Sequence, residues 1–97
     1  MVIRICDFVS GANTSEEGEI IFDRLSGELS DEKKGAVVVS FEGIQTATSS
    51  FVNAAFVELL NKFSYADLRN RVRVVNSTRQ INDMIKRRLA RSSDMVA

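Results

Sequence analysis

The stretch that most constrains the fold is residues 36–63, which begins with the run AVVVSF at residues 36–41. Because this run is apolar at almost every position, it is typical of a strand in a parallel sheet that is covered on both faces. A polar loop follows at residues 42–48, and Ser49 and Ser50 then precede apolar residues at helical spacing. The stretch therefore predicts a buried strand, a short loop and a helix that opens with hydroxyl side chains.

The chain before this stretch predicts another strand and helix. Residues 2–9 mix β-branched and aromatic side chains, as strands do. Thr14 and Glu17 have the spacing of a capping box and predict a helix that runs to about residue 29. Gly18 and Gly27 each lower the helix propensity of this segment by about 1 kcal/mol relative to Ala. Packing must therefore hold the helix in place.

The last third of the chain repeats the same order. Residues 64–70 are predicted to be a polar connection, and residues 71–75 alternate between Arg and Val, as a strand with one wet face does. Ser77 with Gln80 is a second capping-box pattern, and we expect its helix to end in a flexible tail at residues 92–97. The alternating arginines also predict that no helix of this chain covers part of one sheet face.

These patterns predict a single α/β domain over residues 1–97, with the order βαβαβα. Connections that contain a helix join parallel strands, and such crossovers are right-handed in nearly all proteins. We therefore expect a mainly parallel sheet. The predicted core consists of Ile21, Leu25, Val37, Val39, Phe41, Val52, Phe56, Leu59, Val74, Ile81 and Ile85.

The composition excludes several kinds of site. The chain has one cysteine, Cys6, and no histidine, so it has no internal disulfide, no Cys/His metal centre and no thiolate–imidazole pair. Cys6 is predicted to be a small apolar strand residue. No apolar run approaches the roughly 20 residues that span a bilayer, and the N-terminus lacks a signal-peptide pattern. We expect a cytoplasmic protein without metal, cofactor or membrane contact.

The charge is unevenly distributed although the formal net charge is zero. Residues 1–58 hold ten acidic and four basic side chains, whereas residues 59–97 hold three acidic and nine basic side chains. Such asymmetry is typical of a partner surface or a nucleic-acid contact, or of two solvated helix faces within one fold. We favour two solvated helix faces of opposite charge within one fold.

The segment VVVSFEGIQTATSSF at residues 37–51 resembles the STAS domain, the fold of anti-sigma factor antagonists. It resembles still more closely a STAS-like family of unassigned function, in which a Ser-Phe pair opens the helix. The resemblance implies strands in sequential order, with the helices largely on one side of the sheet. It also implies a non-catalytic regulatory module that binds another protein.

The resemblance places the functional residues in the loop and helix start at residues 42–51. In the antagonists an Asp-Ser-Ser-Gly motif opens the helix, and a histidine-kinase-like ATPase phosphorylates the serine after Asp. That serine corresponds to Ser49, with Ser50 second. Thr48 stands in place of Asp and Phe51 in place of Gly, which favours docking without phosphorylation. The partner-binding residues implied are Glu42, Gly43, Thr46, Thr48, Ser49 and Ser50, and the implied partner is such an ATPase or a related regulator.

Other interpretations of these residues remain open. Ser49 or Ser50 is an N-cap in the simplest interpretation. A small enzyme would need a second group beside Glu42, and Asp7 is a weak candidate for it. A nucleic-acid-binding domain would use the basic C-terminal helix, but its charges are consecutive and no aromatic residue lies near them. A homodimer is one way to shield an unpaired sheet edge.

Overall fold

The computed structural model describes residues 2–31 and 35–96, with side chains described as far as Ser92. Three strands alternate with helical segments along the chain. In chain order the elements are β1 (Val2–Arg4), a 3-10 turn (Ile5–Asp7), α1 (Ser15–Leu29), β2 (Val37–Ser40), α2 (Ser49–Ala55), a 3-10 helix (Val57–Asn61), α3 (Tyr65–Arg71), β3 (Val72–Val75) and α4 (Arg79–Val96).

The three strands form one parallel sheet in the order β1-β2-β3. Ile3 pairs with Val39, and Val39 pairs with Val74, so one row of side chains crosses all three strands on the same face. This arrangement confirms the predicted α/β fold with sequential parallel strands.

The two faces of the sheet differ in burial. Ile3 and Val39 on the helix side are completely buried, whereas Val2 is 57% exposed and Arg73 is exposed on the other side. Val38 in the central strand is half-buried on that second face. The central strand is therefore buried on the helix side and partly covered on the second face, where Ser40 is buried and Val38 is half-buried. The prediction that no helix covers part of one sheet face is confirmed, because Val2, Arg73 and Val75 are exposed there.

The core lies between the sheet and the helices and matches the prediction closely. Every predicted core residue is buried except Val74, which is half-buried because it lies on the edge strand β3. Three phenylalanine rings pack at its centre. The ring of Phe41 meets Phe51 edge to face at 6.5 Å and stacks on Phe56 at 6.3 Å between centroids.

Strand β1 is shorter than predicted. It ends at Arg4, and the chain turns in a 3-10 conformation because the carbonyl of Ile5 accepts hydrogen bonds from the N–H groups of Phe8 and Val9. Cys6 is exposed in this turn, so its predicted role as a strand residue is wrong.

Residues 64–70 form a helix instead of the predicted polar connection. Ser64 caps α3 by accepting a hydrogen bond from the N–H of Asp67. Arg71 is the last residue of α3 rather than part of the strand. Its guanidinium donates hydrogen bonds to the carbonyl oxygens of Leu29, Asp31 and Gly35 and thereby joins α3 to the segment between α1 and β2.

The second and third predicted helices also differ from the prediction. The helix expected from Ser49 to residue 63 is divided into α2 and a 3-10 helix. Helix α4 is capped by Thr78, which accepts from the N–H of Ile81, rather than by Ser77. This helix extends to Val96 through the residues predicted as a tail. Once the first turn has formed, each added residue gains a hydrogen bond for the loss of little conformational freedom. Ala97 lies outside the described residues.

Candidate functional site

The carboxyl ends of β2 and β3 are tied together by polar side chains. The hydroxyl oxygen of Ser40 accepts hydrogen bonds from Asn76 Nδ2 at 3.1 Å and from the N–H of Glu42 at 3.3 Å. Ser40 is buried, and Asn76 has a φ of +55°, in the left-handed region that Asn tolerates better than most residues. The base of the predicted loop is therefore fixed on two strands.

The loop leaves β2 through a tight turn that presents Glu42 to solvent. Gly43 has a φ of +82°, and the N–H of Ile44 donates to the carbonyl of Phe41 at 2.8 Å. The carboxylate of Glu42 lies 3.1 Å from the guanidinium of Arg4, and both side chains are about half exposed. Such a surface ion pair contributes at most about 1 kcal/mol to stability, but it orients the carboxylate.

Thr48 joins the loop to the segment that follows β1. Its hydroxyl donates to the carbonyl of Asn13 at 2.9 Å and accepts from the N–H of Phe51 at 3.2 Å. Its backbone N–H donates to the carbonyl of Ala12 at 3.0 Å. Thr48 is thus the N-cap of α2, and the interpretation of Ser49 or Ser50 as the cap is wrong. A threonine can donate and accept at once, whereas an ionised aspartate only accepts.

The segment that receives Thr48 is itself held by Glu17. The Glu17 carboxylate accepts hydrogen bonds from the N–H groups of Asn13 and Thr14, and Thr14 caps α1 in return, which confirms the predicted capping box. The hydrogen bond from the backbone of Asn13 is the main cause that holds the pKa of Glu17 below its usual value. Sequence reasoning identified the cap but missed its connection to the loop, because the two segments are far apart in the chain.

The serines at the start of α2 differ in accessibility. Ser49 is half-buried, whereas Ser50 is exposed and borders an open groove between α1 and α2. Of the other predicted partner-binding residues, Glu42, Gly43, Thr46 and Thr48 are all exposed. Five of the six predicted residues are therefore exposed to solvent, and Ser49 is half-buried.

Phe51 anchors this surface from below. Its side chain is completely buried and packs against Phe41 at the end of β2. The position at which the antagonists carry glycine is here a core residue, so the start of α2 is attached to the sheet by an aromatic contact.

The described residues show no metal-binding cluster and no acidic pair beside this surface. Residues 2–31 and 35–92 contain no group of three Cys, Asp or Glu side chains placed to hold a metal ion. Glu42 forms an ion pair with Arg4. In that same part of the chain no hydrogen bond joins it to Asp7, its proposed partner in an acid–base pair. Arg87, Arg88 and Arg91 are exposed along α4 beside Met84, whereas Lys86 borders a different pocket. Three of these charges, Arg87, Arg88 and Arg91, thus share one face of α4 with Met84, so the expectation that the charges of this helix fan round it is wrong for all but Lys86.

Removing the hydroxyl of Thr48 is expected to loosen the site. The Thr48→Val variant keeps the shape of the side chain but loses the N-cap and the bond to Asn13, so we expect unfolding free energy to fall by about 1–2 kcal/mol. The Thr48→Ser variant keeps both bonds and should stay within about 0.5 kcal/mol of the wild type. Urea denaturation of both variants measures the difference. Equal stability of Thr48→Val and wild type would show that the two segments do not depend on this side chain.

Comparison with known proteins gives one family. A family described as a STAS-like domain of unknown function (DUF4325) matches residues 17–82, from the first turn of α1 to the first turn of α4. No curated protein and no solved structure gives a significant match. Within the described residues, no helix has the length and apolar composition needed to cross a membrane. The matched segment contains β2, the loop and α2, and the chain therefore belongs to the STAS-like domain family of unknown function.

Proposed function

We propose that this domain is a non-catalytic regulatory module that binds a protein partner through its docking surface, which consists of residues 42–51 and the exposed side of α2. The observation that supports this proposal best is that the backbone of the loop is fixed while its polar side chains face solvent. Hydrogen bonds of Ser40 and Thr48 and the buried ring of Phe51 fix the backbone of the loop. The side chains of Glu42 and Ser50 are exposed to solvent. A preorganised surface loses little conformational entropy when it binds.

The chemistry of the surface supports binding rather than catalysis. A general acid or base must lie within hydrogen-bonding distance of the proton that it transfers, and an acid–base pair needs a second such group. The one carboxylate of the surface, Glu42, is exposed to water and paired with Arg4. The other polar side chains of the loop are hydroxyls and the amide of Gln45, and the chain has no histidine to activate the hydroxyls.

The resemblance to anti-sigma factor antagonists supports a histidine-kinase-like ATPase, or a related regulator, as the partner. Phosphorylation of Ser49 would add negative charge to the docking surface and beside the first turn of α2. Ser49 is half-buried, and Thr48 provides a hydroxyl where the antagonists have a carboxylate. We therefore propose docking without phosphorylation as the ordinary mode, with Ser49 and then Ser50 as the positions at which an added charge would interrupt it.

Charge added at the helix start is expected to weaken docking. The Ser49→Asp and Ser50→Asp variants place a carboxylate on the surface and should bind the partner about tenfold more weakly than wild type, the loss typical of an important interface residue. The Ser49→Ala variant should bind as wild type does and keep its stability, because Thr48 and not Ser49 caps the helix. Affinity capture from the native cell, quantified by mass spectrometry, measures bound partner and phosphate together.

The matched control places the same charge elsewhere. Gln80→Asp adds a carboxylate to the exposed first turn of α4, as Ser50→Asp does in α2, and should capture the same partners as wild type. Equal capture by wild type, Ser49→Asp and Ser50→Asp would rule out this loop as the contact surface. Capture of nucleic acid that falls steeply with added salt would instead favour a nucleic-acid-binding role.

A further inference from the structure

A second concave site lies away from the docking surface, between α3, β3 and α4. It is a pocket of about 240 Å³. Its walls carry Leu68 from α3, Val74 from β3, and Ile85 and Leu89 from α4. A dry cavity of about 150 Å³ lined by such side chains is enough to bind benzene. The space between these three elements is thus sufficient for a small apolar group.

Two cationic side chains border this pocket from different helices. Arg69 belongs to α3 and Lys86 to α4, and both are exposed. Across residues 2–31 and 35–92 neither side chain makes a hydrogen bond or an ion pair. Nearby Arg71, in contrast, uses its guanidinium for hydrogen bonds to three backbone carbonyls within the fold. Arg69 and Lys86 therefore place positive charge at the pocket without a structural task of their own.

Uncharged polar groups complete the lining. Asn82 contributes an amide whose oxygen lies within hydrogen-bonding distance of the Ser77 hydroxyl, which fixes its orientation. Tyr65, at the start of α3, contributes a phenol. Apolar walls with a few polar groups and a charged side chain are the usual composition of a small-molecule site.

We propose that this pocket binds a small organic anion, a medium-chain carboxylate. Its alkyl chain packs against Leu68, Ile85 and Leu89, and its carboxylate binds Arg69 and Lys86. Arg can hold a carboxylate through two parallel hydrogen bonds, and Lys adds a point charge. This inference is independent of the docking surface, because none of residues 42–51 lines the pocket.

The chain supplies its own reporter for the test. Tyr65 is its single tyrosine, and there is no tryptophan, so intrinsic fluorescence comes from a residue in the pocket wall. Titration of the full chain with octanoate should give a saturable change in this fluorescence. Hexanoate should bind more weakly, by about fourfold for each methylene removed. Octanol, which lacks the charge, should bind at least about tenfold more weakly than octanoate.

Variants separate this site from general attraction of anions. The Arg69→Gln/Lys86→Gln double variant should lose at least about tenfold in octanoate affinity, whereas Arg91→Gln removes a charge from α4 outside the pocket and should leave affinity unchanged. Equal binding of octanol, or an unaltered affinity of the double variant, would overturn the proposal. The proposal would also be overturned if octanoate showed no saturable binding and the chain eluted as a dimer, since the pocket would then be part of an interface between copies.

Discussion

Replacing Phe51 with glycine, the residue of the antagonist motif, should destabilise the domain by about 4–6 kcal/mol. The estimate adds the cost of removing a fully buried phenylalanine, about 3–5 kcal/mol, to that of placing glycine inside a helix, about 1 kcal/mol. The lost ring packs against Phe41. The main-chain N–H of the same residue donates to the hydroxyl of Thr48 at the start of α2. The variant therefore loses a core contact at the point where the docking surface is attached.

The effect is large because a domain of this size has only about 5–15 kcal/mol of total stability. We expect the melting temperature of Phe51→Gly to fall by on the order of 20 °C, measured by circular dichroism. Phe8→Ala is the control, because Phe8 is 36% exposed and loses mainly its contact with the guanidinium of Arg24, which should cost about 1–2 kcal/mol. A Phe51→Gly protein that melts within a few degrees of wild type would show that the antagonist motif and this sequence share one packing arrangement.

Two glycines of α1 should respond to alanine in opposite directions. A Cβ atom at Gly18 would lie 2.7 Å from the Cβ of Ala54 and 2.7 Å from the carbonyl oxygen of Phe51. No flexible side chain can move aside there, so α1 and α2 must separate, and Gly18→Ala should destabilise the domain by about 1–3 kcal/mol. A Cβ atom at Gly27 meets nothing within 4 Å, so Gly27→Ala should stabilise the helix by about 0.5–1 kcal/mol.

The pair is informative because both variants gain the same helix propensity. Urea denaturation measures both free energies of unfolding, and their difference isolates the contact between α1 and α2. If Gly18→Ala proves as stabilising as Gly27→Ala, the two helices are not packed as closely as the structure places them. The sequence alone suggests that both glycines weaken α1 equally, and only the position of α2 distinguishes them.

Local patterns were the features that the sequence predicted well. The capping box of Thr14 and Glu17 lies within four residues, and the apolar run that forms β2 is recognisable without its neighbours. The cap of α3 at Ser64 is equally local, but the polar composition of residues 64–70 predicts a connection instead of a helix. A serine three residues before Asp67 was the signal that could have identified this helix.

Contacts between distant segments could not be predicted in the same way. The bond from Thr48 to Asn13 and those from Arg71 to the segment after α1 join residues about 35 to 42 positions apart. Their donors look like an ordinary cap and an ordinary strand arginine in the sequence. Which carbonyl each one reaches depends on how the helices pack against the sheet, and that is a property of the whole fold.

The uncovered sheet face has a consequence for how copies of this chain meet. A parallel sheet that exposes valines is a template for uncontrolled strand addition, and the two edge strands are where another chain would attach. Here each edge strand has an arginine on the uncovered face, Arg4 in β1 and Arg73 in β3, and within residues 2–31 and 35–96 no strand is longer than four residues. Charged side chains on short edges act as gatekeepers against aggregation. We therefore expect Arg4 and Arg73 to make the two edges of this half-covered sheet less prone to strand addition.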